Sequence, residues 1–192
     1  MMEIIIGLVV AVLIVFVLYN LYAKIITRRN RALEALAGID VQLTQRFELI
    51  PNILTMASKF MEHEKELFTS VTELRTQASE NYDKADPAAI KDHLSASSRL
   101  GTQMGKLMIN MEDYPDLKSN ETMIQAQQTY NEVEAQIAAA RRFYNSSVTE
   151  LNNTIEIFPG NLLAGIANSK SMPFFEADEA VLEPINATDY FK

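Results

Sequence analysis

The side chains with the widest chemical reach fall into two groups. Glu62-His63-Glu64-Lys65-Glu66 sets an imidazole among carboxylates, a composition that suits a metal ligand set or a phospho-acceptor. Asp40, with Arg46 and Glu48 close behind it, puts a carboxylate on the apolar phase of a helical pattern, where an ion or ligand site could form. Neither group completes a reactive constellation. Zinc catalysis uses three protein ligands, and no histidine stands four residues after His63. The Glu-x-x-His motif of di-iron bundles is also missing, because Phe60 and Ile90 occupy the positions it needs. The 62–66 cluster therefore reads as solvated surface. Asp40 reads as an acid paired or hydrogen-bonded to fix helix register, with Arg141 or Arg142 as the expected countercharge. Asn145 and Asn152, on one helical face, read as polar contacts between helices.

Other chemistry is limited by composition. The 192 residues contain no cysteine, so thiolate metal sites, disulfides and cysteine nucleophiles are excluded. No Gly-x-Ser-x-Gly elbow, phosphate-binding loop or dinucleotide motif is present, and Gly101 and Gly105 fall within a helical pattern that favours close packing. His63-Glu64 after an apolar span and long helices is reminiscent of a sensor kinase, but no nucleotide-binding domain follows. Seventeen basic against 25 acidic residues give a net charge of −8, which argues against general nucleic-acid binding. The expectation is a chain without catalytic residues, metal or cofactor.

The elements that would carry these residues begin with an apolar run. Ile4 to Ala23 holds no charge and, as a helix, would span about 30 Å, the thickness of a bilayer's hydrocarbon. Tyr19 and Tyr22 stand at the headgroup end, and Lys24, Arg28, Arg29 and Arg31 follow, so all six are expected at the membrane interface. That basic bias predicts a single-pass anchor with its N-terminus outside and its helical domain in the cytoplasm. Gly7 and Ala11 form a small-xxx-small pair, the candidate face for anchor self-association.

Beyond the anchor, apolar residues recur at three and four. The first seam is Leu33, Leu36, Leu43, Phe47, Ile50, Leu54, Ala57, Met61, Phe68, Val71, Ala78 and Tyr82, which predicts one helix from about Arg28 to Tyr82, kinked at Pro51. Asp86-Pro87 starts a second helix with seam Ile90, Leu94, Ser97, Gly101, Met104, Met108 and Met111. Ser119 or Asn120 caps a third, with seam Tyr130, Val133, Ile137, Ala140, Tyr144, Val148, Leu151, Ile155 and Phe158. Asn161 is expected to cap a short last helix holding Leu162, Leu163 and Ile166, and Phe174 and Phe175 to anchor the tail. The fold class is all-α: a transmembrane helix, then an up-and-down antiparallel bundle of three to four long helices. The expected divisions are anchor 1–27, bundle 28–170 and irregular acidic tail 171–192.

The residues also resemble a known family. Arg29-Asn30-Arg31, the run Ile39-Asp40-Val41-Gln42-Leu43-Thr44-Gln45-Arg46-Phe47-Glu48-Leu49-Ile50-Pro51-Asn52, His63-Glu64, Tyr114-Pro115-Asp116-Leu117-Lys118, Ala140-Arg141-Arg142-Phe143-Tyr144-Asn145 and Phe158-Pro159-Gly160-Asn161-Leu162 resemble, in order, the pattern of LemA family proteins. Leu36 departs from it where many members carry tryptophan. The resemblance implies a membrane-anchored helical bundle with no established enzymatic activity, and some members belong to magnetosome-membrane formation. It gives structural roles to Ile39, Asp40, Val41, Leu43, Arg46, Pro51, Asn52, Tyr114, Pro115, Arg141, Tyr144 and Asn145. The expected function is a non-enzymatic scaffold in the bacterial cell membrane, with the lipid bilayer and further copies of itself as partners. The alternative is an adaptor that recruits an unidentified cytoplasmic protein.

Overall fold

Uncharged apolar residues run without a break into an amphipathic pattern, and the computed structural model accordingly carries one helix, α1 (Met2–Ala57), through both. The structure describes residues 1–176, all helix, turn or coil with no strand among them. Five further helices follow: α2 (Lys65–Ala78), α3 (Pro87–Asn110), α4 (Pro115–Lys118), α5 (Glu121–Glu156) and α6 (Gly160–Ala164). A short 3-10 turn, Met111–Asp113, leads from α3 towards α4.

The starts of α3 and α5 are those expected. Asp86 accepts a hydrogen bond from the Ala88 amide ahead of Pro87, and Asn120 accepts one from the Met123 amide. Each side chain satisfies an amide that has no partner within its own helix.

The first seam does not form one helix to Tyr82. α1 passes through Pro51 and stops at Ala57, the chain turns at residues 58–64, and α2 folds back along α1. The order of partners shows the reversal, with Arg75 reaching Phe47 and Tyr82 reaching Asp40. A continuous rod would have carried Val71 about 20 Å beyond Ala57, away from any partner. Folding back buries Val71, Ala78 and Met61 on the same core instead. No glycine or proline marks the turn, so tertiary burial outweighs local helix propensity there.

α5 lies along α1 in the opposite sense, because Arg28 meets Glu150 while Arg46 meets Glu134. α3 runs with α1, its His93 beside Asp40 and its Ser97 beside Arg46. The core between them holds Leu36, Ile39, Leu43, Ile50, Leu100, Met104, Tyr144, Val148 and Leu151. Met104 and Met111 are buried and Met108 is partly so, which makes the methionine face core rather than surface.

The end of the third seam and the last helix depart from expectation. Phe158 is exposed, and α6 starts after Pro159 without a side-chain cap, so Asn161 is not the capping residue. Gly160 sits where a Cβ would come within 1.9 Å of the Thr154 carbonyl oxygen, a close approach that only glycine permits. Ile166 falls outside α6 and is exposed. Asn168 then takes a left-handed conformation, φ 45°, and the chain turns so that residues 171–176 lie along α5. Phe175 is buried there and Phe174 is not. The rest of the expected tail, 177–192, lies outside the described residues.

Candidate functional site

Asp40 has partners, though not those expected. It is three residues from the fully buried Leu43, and α1 turns its carboxylate into a cleft of about 410 Å³ beside α2 and α3. The Tyr82 hydroxyl donates to Oδ1 and Oδ2 at 2.9 and 3.1 Å, and the Lys84 ammonium donates to Oδ2. His93 Nε2 stands 3.5 Å from Oδ1, the outer limit of a hydrogen bond, and its ring stacks on Tyr82 with centroids 4.0 Å apart. The countercharge therefore comes from Lys84 after α2, not from Arg141 or Arg142. Arg141 instead holds its guanidinium 5.8 Å from the centre of the Phe175 ring. Burial works to raise the Asp40 pKa, but the polar groups of His93, Lys84 and Tyr82 and the Lys84 charge outweigh it and hold the carboxyl below its ordinary range. Burial and the adjacent carboxylate push the Tyr82 hydroxyl well above its ordinary value. The cluster thus keeps Asp40 charged and Tyr82 neutral, which ties three segments together.

Arg46 makes the second polar knot. Its side chain is 3% exposed, and its guanidinium donates to the Ser97 carbonyl at 2.6 Å and to Glu134 Oε1 at 3.3 Å. The Gly101 expected to bring helices together instead makes room for this guanidinium, whose Nη1 would lie 3.1 Å from an added Cβ. Tyr130, beside Glu134, is buried, and burial followed by the Glu134 charge keeps its hydroxyl protonated well past the usual range.

Pro51 creates a third contact by what it lacks. Without an amide hydrogen it leaves the Phe47 carbonyl unpaired within α1, and Arg75 Nε of α2 donates to that oxygen at 2.7 Å. Asn145 and Asn152 make a fourth. The Asn152 side chain both donates to and accepts from the backbone of Met172, at 3.0 and 2.9 Å, and Asn145 does the same for Phe175 at 3.1 and 2.8 Å. Tyr144 donates to the Pro173 carbonyl between them at 2.8 Å. The two asparagines therefore bind an extended stretch of backbone, not another helix.

The remaining positions divide by exposure. Ile39 and Leu43 are buried, Tyr114 is half-buried, and Val41, Pro51, Asn52 and Pro115 face outward. His63 is exposed, while Glu64 next to it accepts from Asn110 at 3.1 Å. At the base of the anchor Tyr19, Tyr22 and Lys24 are exposed. Arg28 and Arg31 pair with Glu150, and Arg29 donates to the Ala167 carbonyl at 3.1 Å, so these three arginines have protein partners. Nothing stands within 4 Å of where a Cβ on Gly7 would be, and Ala11 is equally open. The apolar stretch is long enough to cross a membrane and none of it is buried by the protein.

A family model for the LemA family matches residues 35–187. The chain belongs to the LemA family. The match starts within α1, beyond the apolar stretch, so membership rests on the helical domain. Among relatives, the chain is similar to Protein LemA of Metamycoplasma hominis, 25% identical over 152 residues that cover 79% of this chain and 67% of that protein. It is also similar to Magnetosome protein MamQ 2 of Paramagnetospirillum magneticum, 31% identical over 99 residues, or 52% of this chain and 36% of the relative. Magnetosome protein MamQ of Magnetospirillum gryphiswaldense is 30% identical over 107 residues, 56% of this chain and 39% of its own length. The chain thus spans well under half the length of either MamQ relative. In this LemA-family chain four of the motif residues are internal ties: Asp40, Arg46, Tyr144 and Asn145 each bind another segment.

Sequence reasoning missed His93, Lys84, Glu134 and Glu150. His93 falls between the seam positions Ile90 and Leu94, and its phase alone marks it as inward-facing. Lys84 lies in a loop, where periodicity carries no information.

Proposed function

We propose that this LemA-family chain is a non-enzymatic, membrane-anchored helical scaffold that self-associates at the bacterial cell membrane and organises it. The observation that carries this reading is the continuity of α1. The apolar stretch passes without a break into a domain where Ile25, Ala32 and Leu36 are already buried, so the anchor is a stiff extension of the core. An up-and-down antiparallel bundle is the arrangement that the pairs Arg28–Glu150, Phe47–Arg75 and Asp40–Tyr82 support. The open face at Gly7 and Ala11 supplies a place for two anchors to meet. The magnetosome proteins among its relatives support a membrane-organising role, and the polar clusters support a structural one because their groups are engaged with each other. The bias of Lys24, Arg28, Arg29 and Arg31 supports an outside N-terminus and a cytoplasmic domain.

Native mass spectrometry of the detergent-purified chain across a range of concentrations tests self-association. The expected result is a defined homo-oligomer, weakened by Gly7→Leu. Monomers at every concentration, with a different protein captured at equal stoichiometry, would replace the scaffold with an adaptor. Single cysteines at positions 3 and 192, probed with an impermeant thiol reagent, read sidedness against a chain that has no native thiol.

A further inference from the structure

Four large apolar residues crowd one exposed stretch, among them Phe158, which its seam should have buried. Ile157, Phe158, Leu162 and Ile166 are 63%, 74%, 66% and 73% exposed, and they fall within one ten-residue stretch that runs from the α5–α6 turn through α6 to just past its end. Beyond the anchor, the other large exposed apolar residues, Val41, Phe60, Ile109, Ile124, Phe143 and Phe174, stand well apart from one another along the chain. A concentrated patch needs a partner.

Its position selects one. Glu150 is fixed beside Arg28, and α5 runs towards the N-terminal end of α1, so its last residue, Glu156, lies about 9 Å further on, level with Tyr22. The segment after α6 is held at the same end by Arg29, which donates to the Ala167 carbonyl at 3.1 Å and the Asn168 carbonyl at 3.4 Å. Tyr19 and Tyr22 mark the headgroup level of the anchor. The turn is therefore pinned where a bilayer crossed by α1 has its surface.

We propose that the α5–α6 turn is a second membrane contact, in which Phe158, Leu162 and their neighbours enter the headgroup and upper acyl region of the bilayer that the anchor spans. Apolar side chains at the end of a helical domain gain there what they lack in water, as they do on interfacial helices. The contact fixes the tilt and rotation of the domain relative to the membrane, which a single span leaves free. The lipids recognised are those of the host leaflet, with no headgroup chemistry specified by the patch.

The inference rests on the anchor reading, and the test separates the two. Full-length chain carrying one cysteine at Leu13, Phe158, Leu162 or Ile124 is labelled with a bimane fluorophore and reconstituted in phosphatidylcholine–phosphatidylglycerol vesicles. All four side chains are exposed in the protein or in the anchor, so the substitutions leave the core intact. Quenching is read with lipids doxyl-labelled near the headgroup or at mid-chain, and with aqueous iodide. The expected result is quenching at Phe158 and Leu162 by the shallow doxyl lipid at least twofold stronger than at Ile124, near the far end of α5, and mid-chain quenching at Leu13. Iodide quenching at Phe158 and Leu162 equal to that at Ile124 would overturn the contact while Leu13 still reports the anchor. A blue-shifted label at Phe158 that no doxyl lipid reaches would also overturn it, and assign the patch to protein. Loss of lipid quenching at Leu13 would overturn the anchor itself.

Discussion

Pro51 and Arg75 should be energetically coupled although neither side chain needs the other for shape. Pro51 has no amide hydrogen, so the Phe47 carbonyl loses its partner in α1, and Arg75 Nε supplies one at 2.7 Å. Arg75→Met keeps most of the aliphatic stem and removes the donor. A hydrogen bond from a charged group contributes about 1.5–3 kcal/mol, and Arg75 is only partly buried, so the expected loss is about 2 kcal/mol. In a Pro51→Ala background the restored amide can pair with Phe47 within the helix, and the same Arg75→Met change should then cost less than about 1 kcal/mol. The cycle should give a coupling of about 1 kcal/mol or more, larger than the error of distant, additive sites. Denaturant unfolding of the four detergent-solubilised chains, followed by circular dichroism, measures it. Additive losses, within about 0.4 kcal/mol, would refute the idea that the vacant carbonyl is what recruits α2.

The other ties give sharper local outcomes. Asn145→Ala with Asn152→Ala should release residues 171–176 while the core stays folded; hydrogen exchange at the Met172 and Phe175 amides should rise more than tenfold, and unchanged protection there would contradict the clamp. Arg46→Leu should lower stability by about 2–4 kcal/mol because the buried guanidinium's charge-assisted hydrogen bonds to the Ser97 carbonyl and to Glu134 are lost, whereas Glu134→Gln, at a partly exposed group, should cost less than about 1 kcal/mol by the same unfolding assay. Since the folded state holds the Asp40 carboxyl below its ordinary value, its contribution is complete above about pH 4 and lost as pH falls through the folded value; the stability gap between the native chain and Asp40→Asn should close below pH 4. Gly160→Ala should destabilise the α5–α6 turn by about 1–3 kcal/mol, since its methyl would press on the Thr154 carbonyl, and a melting temperature equal to the native one would count against that close approach.

Periodicity made most of the fold legible, and it failed in identifiable places. Leu36, Leu43, Ile90, Leu94, Tyr144 and Val148 were readable as core because burial repeats with the helix turn. The caps at Asp86 and Asn120 were readable because a short polar side chain before a helix has one evident task. The reversal after Ala57 was not, since a seam keeps its phase whether the chain runs straight or folds back onto the same core. The partners of Asp40 lay beyond sequence reasoning for a related reason: Tyr82 and Lys84 come near it only through that reversal. Asn145 and Asn152 could be recognised as inward-facing amides, but what they hold is backbone, which leaves no side-chain signature at residues 172–175. Phe158 was misplaced because apolar phase cannot distinguish a protein interior from a lipid surface.

An α1 of 56 residues is about 84 Å long, and only its last third carries a proline. Its lipid-embedded end and the shaft that Leu36 and Ile39 embed in the domain form a single lever. Any inclination that a thinner or thicker bilayer imposes on the first part is imposed on the second by the same angle, so hydrocarbon depth would be felt as a load where the α5–α6 turn resists that swing.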